Sequence, residues 1–280
     1  MHPIKQNRYR SIGALGALLA LTGIPGIGQE PVLADEHLAF SEKYGFRLAY
    51  YSIQKADTDI TVLSSQGLGT GFSFVDDLGG EDSVAIPRLD GFYRFNDKHR
   101  IELGYFRIER EGRNVLAIEL DIGDQTFTAG ETVISDIKTE LFKVDYAYSF
   151  YRSRQVELSV SAGLNFTTYE FDYALASDSN ADSSDASGPL PMFGLRLGYA
   201  ITDRWRLNFI SEAFYIKLGD EFDGSFQYSE INLQRRFSNN LALGAGVTRY
   251  SIDLEAKDDD WKGRLADNHR GLMVYASYSL

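Results

Sequence analysis

The stretch Ala266-Asp267-Asn268-His269-Arg270 sets an imidazole two residues from a carboxylate. That pairing is the raw material of hydrolysis, in which a His takes a proton from a nucleophile while an acid orients its ring. The chain has four histidines. His2 and His37 fall near the N-terminus, and His99 falls in a short polar turn. His269 is therefore the histidine that an outer-rim hydrolase would use, with Asp267 or the run Asp258 to Asp260 beside it and a loop serine as nucleophile. No GxSxG, HExxH or phosphate-binding loop accompanies it.

A second acid-rich stretch, Asp178-Ser179-Asn180-Ala181-Asp182-Ser183-Ser184-Asp185, opens like a calcium-binding loop. It has Ser183 where such a loop turns on glycine, and Pro189 where it closes with glutamate. With Asp220, Glu221, Asp223 and Asp258 to Asp260 it reads as a solvated acidic rim, so no metal or cofactor is expected.

The larger charged set sits at alternate positions of apolar segments. Its basic members are Arg47, Arg88, Arg94, Lys143, Arg196, Arg206 and Arg236; its acidic members are Asp90, Glu102, Asp145, Glu157, Glu212 and Glu230. Buried charges of nearly balanced number must pair or stay hydrated. They can make an interlocked ion-pair plug or line a narrow aqueous pore.

The elements that position these charges are strands. Residues 156–168 place Val156, Leu158, Val160, Ala162, Leu164 and Phe166 on one face and Glu157, Ser159, Ser161, Gly163, Asn165 and Thr167 on the other. The last residues repeat the pattern with Leu272, Val274, Ala276, Tyr278 and Leu280. Period-two alternation means strands with one apolar face, and segments of about ten residues span a bilayer when tilted. Four short polar turns follow Phe95, Tyr151, Ile201 and Phe237. Longer polar stretches lie near 54–86, 110–140, 173–189, 217–225 and 256–269. Short turns at one end and long loops at the other are the asymmetry of an outer-membrane barrel.

The count gives ten strands, near 44–55, 87–96, 100–110, 141–151, 156–169, 190–201, 205–216, 226–237, 241–252 and 271–280. Eight or twelve are the alternatives, because 58–76 also alternates. The fold expected is an all-β, antiparallel, up-and-down transmembrane barrel with both mature termini on the periplasmic side. A soluble sandwich would have the same periodicity. Tyr93, Phe95, Tyr148, Phe150, Tyr199, Trp205, Phe237 and Tyr278 cluster beside the short turns like an interfacial girdle, which favours lipid. Arg235 shares the apolar parity of Ile231 and Leu233, and its place is acceptable only near the interface.

The N-terminus reads as a cleaved signal peptide over 1–34. Lys5, Arg8 and Arg10 precede an apolar run, and Val32-Leu33-Ala34 forms the cleavage site. Removing it takes the formal charge from −12 to −14, a poor surface for nucleic acid. The chain contains no cysteine, so it forms neither a disulfide nor a lipoprotein anchor.

The signal peptide, short turns and apolar terminal strand resemble the small bacterial outer-membrane barrels of the OmpW-like and OmpA-like membrane-domain type. Residues 87–100, Pro-Arg-Leu-Asp-Gly-Phe-Tyr-Arg-Phe-Asn-Asp-Lys-His-Arg, also resemble a group of barrels without an assigned activity. The resemblance implies insertion through the barrel-assembly machinery, which reads the last strand, and residence among outer-membrane lipid and lipopolysaccharide. Within such a barrel, Tyr51, Ile53, Phe106, Ile108, Tyr169, Ile210, Phe214, Ile216 and Tyr250 would form an apolar upper pocket above the charged floor. The functions that follow are a passive narrow channel for small solutes or a structural envelope protein. A hydrolase using His269 and a loop-mediated adhesin are the alternatives.

Overall fold

Alternation in the sequence becomes thirteen strands in the computed structural model, which describes residues 40–67, 69–177, 182–219, 222–257 and 262–280. They are β1 (Tyr44–Val62), β2 (Gly71–Ser73), β3 (Val84–Arg94), β4 (His99–Val115), β5 (Leu120–Ile122), β6 (Gln125–Phe127), β7 (Thr132–Arg152), β8 (Val156–Leu175), β9 (Asp182–Ala200), β10 (Trp205–Leu218), β11 (Phe222–Arg236), β12 (Leu241–Lys257) and β13 (Lys262–Ser279). All but β2, β5 and β6 pair with their chain neighbours in one antiparallel sheet. The sheet closes where β13 pairs with β1, from Gly45 opposite Ser279 to Val62 opposite Gly263. The ten-strand expectation holds, and closure leaves no unpaired edge at this seam. The expected leader, 1–34, and the acids Asp178, Asp220, Glu221 and Asp258 to Asp260 lie outside the described residues.

The four short turns form because each carries a side chain that caps its own backbone. Asn96 Oδ1 accepts from the Lys98 and His99 amides. Ser153 Oγ accepts from the Val156 amide, Thr202 Oγ1 from that of Trp205, and Ser238 Oγ from that of Leu241.

The strands run further from these turns than the apolar pattern predicts. β7 begins at Thr132 rather than near 141, and β13 begins at Lys262 rather than near 271. Residues 173–189, expected as a loop, lie largely in β8 and β9, with Asp182 opposite Tyr173. The stretch 58–76 supplies the end of β1 and the short β2, which adds to β1 rather than making another hairpin across the membrane.

A reversal of polarity explains the extra length. On β8 the outward residues are apolar from Val156 to Phe166, then become Thr168, Glu170 and Asp172. On β4 they change from Leu103 and Tyr105 to Arg107, Glu109 and Glu111. The change falls at one level, because Tyr105 lies opposite Phe142 and Phe142 opposite Phe166. A tilted strand from Val156 to Phe166 rises about 25 Å, the height of a lipid-facing belt. Beyond the belt the polar residues face outward to water and the apolar ones inward. At the lower belt edge Arg235 points outward over the rings of Trp205 and Phe237, 5.6 and 5.0 Å from their centres. That is an interfacial position, so its strand keeps the expected register.

Among the described residues the wall is incompletely paired in two places, between β3 and β4 above Arg88 opposite Phe106 and between β9 and β10. Pairing of β9 with β10 stops at Phe193 opposite Ala213. Above it, 182–192 pairs only with β8, and 214–218 only with β11. Pro189 and Pro191 stand in the unpaired stretch, and proline lacks the N–H a ladder needs.

Candidate functional site in the barrel lumen

The thirteen charged residues assigned inward by parity are buried or half-buried and interlock in ion pairs between strands. Arg47 of β1 reaches Asp90 of β3 at 2.8 Å and Glu230 of β11 at 2.6 Å. Arg88 binds Asp90 at 3.0 Å and donates to the Tyr228 hydroxyl, which donates to Glu230. A second group centres on Arg196 of β9. It contacts Glu102 of β4 at 2.5 Å, and Asp145 of β7 and Glu212 of β10 at 2.8 Å each. Lys143 joins Asp145 to Glu212 at 3.0 and 2.5 Å. Nearer the turns, Arg94 meets Glu157 at 2.9 Å, while Arg206 and Arg236 share Glu42.

Several members of this lattice are additional to the sequence reading. Arg100 binds Glu102 at 2.6 Å and lies 3.7 Å from Glu157. It shares the parity of Glu102, and that was the signal that could have found it. Arg152 lies 3.8 Å from Glu157, and its guanidinium donates to the Phe40 carbonyl. Glu42 precedes the first alternating segment, so no pattern marked it.

The long-loop half of the lumen is a packed apolar core. Tyr51, Ile53, Phe106 and Ile108 are buried together with Leu141 and Met273. Tyr169, Phe214 and Tyr250 belong to a larger cluster, with Ile210 and Ile216 against it. Residues that read as loops complete that cluster: Phe72, Phe74 and Leu78 between β1 and β3, and Leu116, Leu120, Ile122 and Phe127 between β4 and β7. The Ser65 amide and hydroxyl each donate to Asp124 Oδ1 at 3.0 Å, tying the β5–β6 turn to the chain after β1. These hydrogen bonds hold the Asp124 carboxyl below the usual carboxylate range.

The expected upper pocket residues therefore gather where expected but around little space. A cavity of about 30 Å³ lies by Ile60, Tyr169, Phe171 and Leu265. The large cavity, about 220 Å³, lies at the charged short-turn end, bounded by Arg94, Arg196, Glu157 and Phe40 among others.

His269 departs from its expected place at the outer rim. It belongs to β13, is only 4% exposed, and stacks on Tyr250 with ring centres 4.4 Å apart. Its Nδ1 lies 3.4 Å from Asp267, whose other carboxylate oxygen accepts from Thr58 and approaches Arg110. The reason is the polarity reversal: 256–269 is charged enough to read as a loop, yet Asp267 and His269 take the inward parity of a strand. Among the described residues no group of three or more His, Asp or Glu side chains converges as a metal site.

A closed barrel with an apolar outer belt and a charged lumen is a membrane architecture. Comparison of folds agrees. The crystal structure of the outer membrane protease OmpT from Escherichia coli superposes with a TM-score of 0.53 at 10% identity, covering 88% of this chain and all of that one. The chain folds as an outer-membrane β-barrel. Outer-membrane protein OprG from Pseudomonas aeruginosa matches at 14% identity and a TM-score of 0.40, over 87% of this chain and 97% of that one. The attachment invasion locus protein Ail of Yersinia pestis matches at 12% and 0.35, over 85% and 99%. No protein-family model and no curated protein sequence matches the chain. At such identities the likeness is one of fold, and the outer-membrane barrel's activity has to be argued from its own lumen.

Proposed function

We propose that this outer-membrane barrel is a structural envelope protein with a sealed lumen, its short turns and chain ends periplasmic and its acidic rim extracellular. The observation that carries this reading is Arg196, which bridges carboxylates from three other strands and so ties the wall across the bore. The apolar core above it forms a second seal. In this reading the rim shares divalent cations with lipopolysaccharide phosphates, and β13 is the strand presented to the assembly machinery. A sealed barrel leaves a planar bilayer electrically silent, and single-channel recording tests this.

A hydrolase built on His269 has less support. The imidazole is 4% exposed, covered on one face by Tyr250 and turned to Asp267, which leaves little of it for an external substrate to meet.

The break between β9 and β10 favours a second reading, admission of a small apolar solute into the upper lumen from the adjoining leaflet. Phe214 lies on the β10 side of that break. Under this reading, vesicles holding the barrel take up an apolar dye, and the double replacement of Phe106 and Phe214 by Arg abolishes uptake. Equal uptake by both proteins removes the reading.

A further inference from the structure

Three neighbouring strands carry cations on their outer faces where the apolar belt ends toward the long loops. Within the belt the exposed residues are Leu243 and Val247 on β12, Val274 and Leu272 on β13, and Leu48 and Tyr50 on β1. The next outward residue is Arg249 on β12 and Arg270 on β13, both exposed. On β1, Ser52 and Gln54 lead to the exposed Lys55, past a shift of register.

Register sets these cations side by side. Arg249 lies directly opposite Arg270, and Arg270 directly opposite Lys55. Directly opposite side chains start about 5 Å apart, and like charges so placed destabilise a sheet. On the far side of Arg249 stands Ser229, and beyond it Ser211. The row thus offers three cations and two hydroxyls, all able to donate, on a chain of formal charge −12.

The surroundings do not neutralise the facing arginines. Just above them Ser251 donates to Asn268, a neutral pair. The next acid on β12, Asp253, is held by Arg264 at 2.6 and 2.9 Å. Asp57 lies 3.8 Å from Lys55. Among the described residues no carboxylate lies within ion-pair distance of Arg249 or Arg270. The opposite wall differs. Arg107, the first polar outward residue of β4, pairs with Glu109, and Lys138 of β7 meets Asp172 at 2.7 Å.

We propose that Arg249, Arg270 and Lys55 hold a phosphate of lipopolysaccharide in the outer leaflet, with its acyl chains lying on Val247, Leu272 and Val274. Guanidinium groups match phosphate oxygens with paired donors, and an anion between the facing arginines cancels their repulsion. The contact is direct and needs no divalent cation. It rests on the orientation proposed above, with the long loops extracellular.

Native mass spectrometry of the folded barrel in detergent tests this, with EDTA present throughout. The probes are diphosphorylated lipid A, monophosphoryl lipid A and inorganic phosphate. Diphosphorylated lipid A is expected to bind, the monophosphoryl form about fivefold more weakly, and inorganic phosphate not at all at the same concentration. Arg249→Gln and Arg270→Gln each weaken lipid A binding about fivefold, the worth of one cation near an anionic surface. Both keep or exceed the wild-type denaturation midpoint in lipid-free detergent, because each relieves a repulsion. Arg107→Gln, which removes a paired cation on the opposite wall, leaves binding unchanged. Equal affinity of the wild type and the double variant Arg249→Gln/Arg270→Gln overturns the proposal. So does equal affinity for the two lipids, or inorganic phosphate binding as tightly as lipid A. None of these results depends on which way the barrel sits in a membrane or on whether it conducts. Orientation is read separately by labelling Gln66→Cys, an exposed position beyond β1, with an impermeant maleimide on intact cells. Labelling is expected; its absence overturns the outer-leaflet assignment.

Discussion

Replacing Arg196 by Met will lower the barrel's unfolding free energy by about 3–5 kcal/mol, the cost of removing one partner from a buried ion-pair network. The side chain of Arg196 is 5% exposed and lies within 2.8 Å of Glu102, Asp145 and Glu212. Its loss leaves three carboxylates close together, with Lys143 the remaining cation between Asp145 and Glu212. Methionine fills similar volume, so the loss reports charge rather than cavity formation. Arg235→Met is the control. Arg235 is outward and exposed, stacked on Trp205 and Phe237, and its loss costs about 1 kcal/mol or less. Denaturant titration of the folded barrel in lipid vesicles, followed by tryptophan fluorescence, measures both. Equal effects from the two substitutions would mean that the lattice does not brace the bore.

Phe127→Asp will expel the β5–β6 hairpin from the upper lumen while the barrel stays folded. Phe127 is 1% exposed and packs edge-on against Tyr173, 5.9 Å between ring centres. A carboxylate there is unpaired in an apolar cluster, and an uncompensated buried charge costs several kcal/mol. The hairpin is two three-residue strands that ladder only with each other, and outside the apolar cluster it is tied down by scattered single hydrogen bonds such as Ser65 to Asp124. Hydrogen exchange of the amides in 120–127 should accelerate at least about tenfold, while those of β8 opposite β7 keep their protection. Unchanged exchange across 120–127 would show that the cluster is not what holds the hairpin.

How much of this was legible in the sequence follows from where water and lipid lie. Within the belt each strand faces hydrocarbon on one side only, so Phe142, Val144, Tyr146 and Tyr148 alternate cleanly with Lys143, Asp145 and Ala147. Strand number, closure and the inward charged set all follow from that alternation. Above the belt the outer solvent becomes water. Segments such as Glu170-Phe171-Asp172-Tyr173 still alternate, but their charges read as loop residues. The strand extensions, and with them the inward places of Arg110, Asp267 and His269, were lost for that reason.

Parity says which side chains enter the lumen, but not which ones meet across it. The contact of Arg196 with Glu102 depends on stagger and tilt around the whole barrel, which no local pattern records. The loop residues Leu78 and Phe127 lie in no alternating segment, so their role in filling the upper lumen was illegible. The space also lay at the other end from the aromatic residues that suggested a pocket. Large apolar side chains in a ten-stranded barrel meet and fill it, whereas the charged end keeps a cavity of about 220 Å³.

Two stacked seals, an ion-pair lattice and an apolar core, would close this barrel to ions. Single-channel recording of the folded wild-type protein in planar bilayers tests it most directly. A flat current trace is expected at either polarity, with insertion verified independently by protection from external protease. Stable, reproducible open steps from the wild-type barrel would contradict it.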